Sequence, residues 1–133
     1  GYGYSLTSNS LQIARAYSVF ANEGIMIEPR LLSDIKSERV RVLSKSTASF
    51  ILDSLRMTVV DGTASNLKNE KIEIAGKTGT SEKYIEGVGY ASEKYISSFA
   101  SIFPYNNPKF IMIVSIDEPD PINILEEMCQ HLL

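Results

Sequence analysis

The chain has 133 residues, enough for one domain or part of one, with 44% hydrophobic and 22% charged residues. Its formal net charge is −3 and its lysines and arginines are scattered among acids, which excludes a nucleic-acid-binding surface. Cys129 is the only cysteine, so no internal disulfide forms, and Cys129 with His131 makes too few ligands for a metal.

In chain order, Thr7 is placed to cap a first helix, in which Ile13, Ala16, Tyr17 and Phe20 share one apolar face and which Gly24 ends. Residues 25–32, with Pro29, read as extended or irregular. Val40 and Val42 alternate with Arg39 and Arg41 as in a short exposed strand. Ser46 caps a second helix on the spacing of Ala48, Ile51, Leu52, Leu55 and Val59, and Asp61-Gly62 stops it. Residues 63–69 are loop.

Lys71-Ile72-Glu73-Ile74 alternates and reads as a strand leading into Ala75-Gly76-Lys77-Thr78-Gly79-Thr80-Ser81. Residues 82–94 are charged, hold Gly87 and Gly89 and lack a clear period, so they read as a mobile surface loop: either a lid beside Lys77 or a plain hairpin connection. Residues 95–103 are strand-like and residues 104–108 form a turn. Residues 110–116 are almost continuously apolar, as expected of a strand covered on both faces. Residues 122–133 have helical spacing at Ile124, Leu125, Met128 and Leu132. The order predicts an α+β fold, with helices packed on an antiparallel sheet of about three strands. No apolar run is long enough to span a membrane.

The segment around Lys77 holds the densest chemistry. Lys77 supplies positive charge, Gly79 lets a substrate backbone lie against the strand, and Thr78 and Thr80 offer hydroxyls. The backbone N–H of Thr80 is placed to face a developing oxyanion. A phosphate-binding P-loop is excluded, because position 71 is lysine where that loop needs glycine and no helix pattern starts at Lys77.

The Lys-Thr-Gly motif is accompanied by others. They are Gly1-Tyr2-Gly3-Tyr4-Ser5-Leu6-Thr7, Leu11-Gln12-Ile13-Ala14-Arg15-Ala16-Tyr17, Ala21-Asn22-Glu23-Gly24, Asp61-Gly62-Thr63-Ala64, Phe99-Ala100-Ser101-Ile102-Phe103-Pro104 and Ile116-Asp117-Glu118-Pro119. In that order they resemble the C-terminal part of the transpeptidase domain of class B penicillin-binding proteins, of the septal or elongation type. The resemblance runs from Gly1 to Pro119. Beyond it, Asp120-Pro121-Ile122-Asn123 stands where the family usually has a Gly-Gly segment, so nothing is carried over there.

The resemblance implies that residues 1–133 are a C-terminal fragment of an incomplete penicillin-binding transpeptidase or β-lactamase-like fold. It further implies an enzyme that cross-links peptidoglycan stem peptides through an acyl-serine intermediate, is acylated by β-lactam antibiotics and uses no cofactor. Lys77 and the Thr80 N–H then serve catalysis, and Thr78, Gly79 and Thr80 bind substrate. A membrane anchor upstream, a location on the outer (periplasmic) face of the cytoplasmic membrane and partners among cell-wall synthesis or divisome proteins are also implied.

The nucleophile is expected upstream of Gly1, leaving the fragment inactive by itself. Ser33-Asp34-Ile35-Lys36 formally fits Ser-x-x-Lys, but it lacks helical period and follows Pro29, so Ser33 is rejected. The fragment is expected to self-associate through the strand at residues 110–116. A non-catalytic sensor or interaction module on the same scaffold, or a related D,D-carboxypeptidase or β-lactamase, stays as the alternative.

Overall fold

The computed structural model describes residues 8–119, apart from the side chains of residues 92 and 93. Two helices flank a three-stranded antiparallel sheet, with a two-stranded ribbon beside them. The expected α+β arrangement with three antiparallel strands is therefore what forms. Thr7, the last helix and the Cys129–His131 pair lie outside the described residues.

Helix α1, Ser10–Ala21, is capped by Asn9. The Asn9 side chain accepts the Gln12 N–H at 2.9 Å, and the Gln12 side chain accepts the Asn9 N–H at 2.9 Å. This reciprocal pair satisfies two orphan donors and sets the helix start after Thr7. The helix ends at Ala21, before Gly24, and the chain turns into β1, Ile25–Ile27. Strand β2, Arg39–Arg41, forms where a short exposed strand is expected and pairs with β1, which is the extended part of residues 25–32. Between them, Ser33 to Lys36 sit in an exposed irregular stretch, without the helical face a nucleophilic Ser-x-x-Lys needs.

Helix α2, Lys45–Val60, is capped by Ser44 rather than Ser46. The Ser44 hydroxyl accepts the Thr47 N–H at 3.1 Å, the spacing that satisfies a first-turn donor. Asp61 closes the helix as expected. A 3-10 turn, Ser65–Leu67, lies within the predicted loop and puts Leu67 in the core.

Strand β3 is Ala75–Ile85, so it starts after the alternating run at residues 71–74. That run is irregular because its groups are used otherwise. Arg56 Nη1 donates to the Ile74 carbonyl at 2.8 Å, and the Tyr105 N–H donates to the Glu73 carbonyl at 2.7 Å. Arg56 also stands 5.9 Å from the Tyr105 ring centre, and the Tyr105 hydroxyl donates to Asp53 Oδ1 at 2.7 Å. Helix α2 and the turn after the next strand thus hold the lead-in to β3 from two sides.

Strand β4, Gly89–Phe103, runs back along β3, and β5, Phe110–Asp117, pairs with β4. The mobile loop expected at residues 82–94 is instead the end of a long hairpin, as in the plain hairpin reading. Only residues 86–88 lie between its strands. Gly87 and Gly89 take positive φ at that turn, where a side chain would be strained. The ladder shifts after Glu82↔Tyr95, leaving residues 92–94 of β4 without a partner on β3. That interruption breaks the period-two pattern and hides the strands in the sequence.

The register sorts the sheet residues onto two faces. Thr78, Phe99 and Val114 stand side by side on one. There Phe99 joins Val59, Ala64, Leu67 and Ile74 in the buried core, with Phe103 and Ile116 packed against it. Lys77, Ala100 and Ile113 stand on the other, toward Ile13 and Tyr17 of α1. Strand β5 forms as predicted, but among the described residues it is not covered on both faces: Phe110 is 61% exposed and residues 111–114 are half-buried. Its outer edge, like that of β3, has no strand partner among the described residues.

Candidate active site

All four residues singled out in the sequence lie on one stretch of β3, an edge strand among the described residues. Lys77 is exposed, and its Nζ donates to the Thr78 carbonyl at 2.9 Å and stands 3.4 Å from Thr78 Oγ1. The ammonium is therefore held against its own strand rather than swinging free. Thr78 is half-buried; Gly79 and Thr80 are exposed. Thr80 stands opposite Ser97, whose buried hydroxyl has no hydrogen-bond partner among the described residues.

The two glycines of the motif differ in what they accommodate. At Gly76 a Cβ would sit 2.6 Å from Phe99 Cζ and 2.7 Å from the Ala100 carbonyl oxygen, so close packing inside the fold excludes a side chain. At Gly79 a Cβ would meet only the Ser98 hydroxyl, at 3.1 Å. A hydroxyl can turn away, so the fold's own packing does not require this glycine. A backbone approaching from outside would.

A cavity of about 170 Å³ opens beside this stretch. Ile13 and Tyr17 of α1, Ala100 and Ile113 form its apolar side, and Lys77, Thr78, Gly79 and Ser98 bring polar groups to it. Burial pushes the Tyr17 phenol above its ordinary pKa, so it stays neutral at physiological pH. A largely apolar concavity with Lys77 and Ser98 in its lining suits a ligand with an anionic end and a hydrocarbon body.

Thr63 joins the site, a role not assigned from the sequence. Its Oγ1 lies 2.8 Å from Thr78 Oγ1. The signal was present in Asp61-Gly62-Thr63-Ala64, but fifteen residues separate the two threonines. Only the fold of α2 back onto β3 brings them together. Among the described residues no group of three or more His, Cys, Asp or Glu side chains is arranged to hold a metal.

A sequence model described as the penicillin-binding protein transpeptidase domain matches residues 1–128. The chain is 34% identical to a probable peptidoglycan D,D-transpeptidase PbpC of Pseudomonas aeruginosa, over 91% of this chain and 22% of that protein. It is 32% identical to a peptidoglycan D,D-transpeptidase FtsI homolog of Mesostigma viride, over 89% of this chain and 24% of that one. It thus spans about a quarter of the length of these relatives.

Among solved structures, the apo transpeptidase domain of Burkholderia pseudomallei penicillin-binding protein 3 superposes with a TM-score of 0.76 at 30% identity, covering 98% of this chain and 44% of that one. Penicillin-binding protein 3 of Mycobacterium tuberculosis in complex with aztreonam gives a TM-score of 0.75 at 25% identity, covering 98% and 36%. With a family model matched over nearly the whole length and the same fold in those structures, the chain belongs to the penicillin-binding protein transpeptidase family.

Proposed function

We propose that these residues form one wall of the substrate cleft in a peptidoglycan D,D-transpeptidase, and that the acylated serine lies outside residues 1–133. One observation carries the reading: Lys77 Nζ and Thr63 Oγ1 both approach Thr78 Oγ1, on a strand that is an edge among the described residues, beside a glycine that the fold's own packing does not need. In the reaction, a serine Oγ attacks the carbonyl carbon of the D-Ala-D-Ala bond, and the terminal D-Ala leaves with a proton on its amine. An amine from a neighbouring stem peptide then attacks the ester, forms the cross-link and returns the serine.

In this reading Lys77 supplies positive charge, the hydroxyls of Thr78 and Thr80 bind the substrate carboxylate, and the Thr80 N–H is one oxyanion donor. The edge of β3, without a strand partner among the described residues, offers backbone groups to an extended peptide. The same groups receive a β-lactam. The parent enzyme works on the outer, periplasmic face of the cytoplasmic membrane, anchored by a segment outside this chain, among cell-wall synthesis or divisome proteins. Among the described residues no helix is long and apolar enough to cross a membrane.

Labelled penicillin followed by intact-mass analysis tests the reading. The full-length protein is expected to gain one acyl group on a serine outside residues 1–133, and the 133-residue chain none, because one wall without a nucleophile–base pair does not acylate. An adduct on Ser33 would overturn the assignment. A full-length protein that never acylates would favour a non-catalytic module on the same scaffold.

The 133-residue chain by itself is expected to self-associate through the outer edge of β5, where no proline or charge interrupts residues 110–116. Its light-scattering mass should rise with concentration. A constant monomer mass, with amides protected along both edges of β5, would show that another segment fills that edge.

A further inference from the structure

Past Thr80 the β3–β4 ladder breaks, and four charged side chains converge at the break. Lys83, the first β3 residue after the shift, places Nζ 2.7 Å from Asp117 Oδ2 and 2.9 Å from Glu118 Oε1. Lys94, in the unpaired segment of β4, places Nζ 3.1 Å from each Glu118 oxygen. Glu118 takes φ 51°, uncommon for a non-glycine residue, while its N–H donates to the Tyr95 carbonyl at 2.9 Å. That bond carries the β4–β5 ladder one residue beyond Ile96↔Asp117 and aims the Glu118 carboxylate at both lysines.

Lys83 on β3 therefore reaches across β4 to the end of β5, tying all three strands where ladder bonds between β3 and β4 are missing. Lys83 and then Lys94 hold the Glu118 carboxyl below its usual pKa range. Asp117 and then Glu118 raise the Lys83 ammonium above its own. Both shifts favour the charged forms of Lys83 and Glu118 through the neutral range. Beyond the tie, the hairpin carries an edge-to-face Tyr84–Tyr90 pair with ring centres 5.4 Å apart, at two exposed residues.

We propose that Lys83, Lys94, Asp117 and Glu118 are positioning residues: an ionic staple that sets the direction of the β3–β4 hairpin relative to Lys77–Thr80 and so governs ligands that extend past Thr80 along β3. The inference rests on the reading of Lys77–Thr80 as the ligand wall. A compact ligand confined to Lys77–Thr80 does not reach the stapled half of the strand. A ligand with a long acyl side chain does, and a swinging hairpin misplaces its contacts.

The test uses full-length protein with Lys83→Met, Glu118→Gln and Lys83→Arg, acylated by a penicillin with a compact side chain and by one with an extended, branched side chain. Lys83→Met and Glu118→Gln are expected to slow acylation by the extended compound about three- to five-fold, the scale of an exposed charge network, and to leave the compact one within about twofold. Lys83→Arg, which keeps the charge, should restore the wild-type ratio. In wild-type protein, hydrogen exchange of the hairpin amides should quicken in 1 M salt, where screening acts over about 3 Å.

Equal slowing for both compounds, no slowing for either, or Lys83→Arg behaving as Lys83→Met would overturn the staple. So would hairpin exchange that is indifferent to salt. The parallel variant Lys77→Ala separates the two readings. If it slows both compounds while Lys83→Met slows neither, only the staple fails. If Lys77→Ala slows neither, the ligand wall itself fails.

Discussion

Replacing Lys77 with alanine in the full-length protein is expected to slow acylation by penicillin at least tens-fold, on the order of the 10²-fold lost with one oxyanion-type contact. The ammonium stands 3.4 Å from Thr78 Oγ1, and its other contact here, the Thr78 carbonyl, is on its own strand. The charge is thus prepositioned beside the hydroxyls that would take an anion, and little reorganisation is needed when one arrives. Alanine removes the charge without opening a buried hole, because Lys77 is exposed. Folding should therefore be spared, and the loss should appear in the acylation rate. Stopped-flow acylation with a fluorescent penicillin measures it. A rate equal to wild type would reduce the motif to scaffold.

Replacing Phe99 with alanine is expected to cost about 3–5 kcal/mol of folding stability, the range for removing a large buried aromatic. Phe99 is 1% exposed and shares the core with Val59, Ala64, Leu67 and Ile74. It also fills the space above Gly76, where a Cβ would come within 2.6 Å of the ring. A cavity there undercuts β3 directly beneath Lys77 and Thr78. Collapse into it is restricted, because β3, β4 and α2 are each held by their own hydrogen bonds. Denaturant unfolding measures the loss. A cost under about 1 kcal/mol would mean that the site strand does not rest on this ring.

Much of the fold was legible in local patterns. The apolar spacing of α1 and α2, the stop at Asp61 and the apolar run of β5 are all read within a few residues. The candidate wall was legible for the same reason, because Lys77, Thr78, Gly79 and Thr80 are consecutive and a single strand delivers them together. The motif order from Gly1 to Pro119 named the family, which the match over residues 1–128 agrees with.

What stayed hidden depended on partners distant in the chain. Residues 71–74 alternate like a strand, yet the Ile74 carbonyl is taken by Arg56 and the Glu73 carbonyl by the Tyr105 N–H. Residues 82–94 looked like loop because an interrupted ladder and two glycines break the alternation of an otherwise long hairpin. Cap positions moved because both helices offer several small polar side chains near their starts. Asn9 and Ser44 are the ones whose side chains accept a first-turn N–H.

Thr63 beside Thr78, and Lys83 beside Asp117 and Glu118, are pairs that no window of sequence contains. The amino-acid sequence by itself determined which chemistry the chain carries and which segments bear it, because periodicity and motif are properties of neighbours. The tertiary structure alone decided which of those groups meet, because contacts across a folded sheet depend on register, and one shift in the ladder re-aims every side chain beyond it.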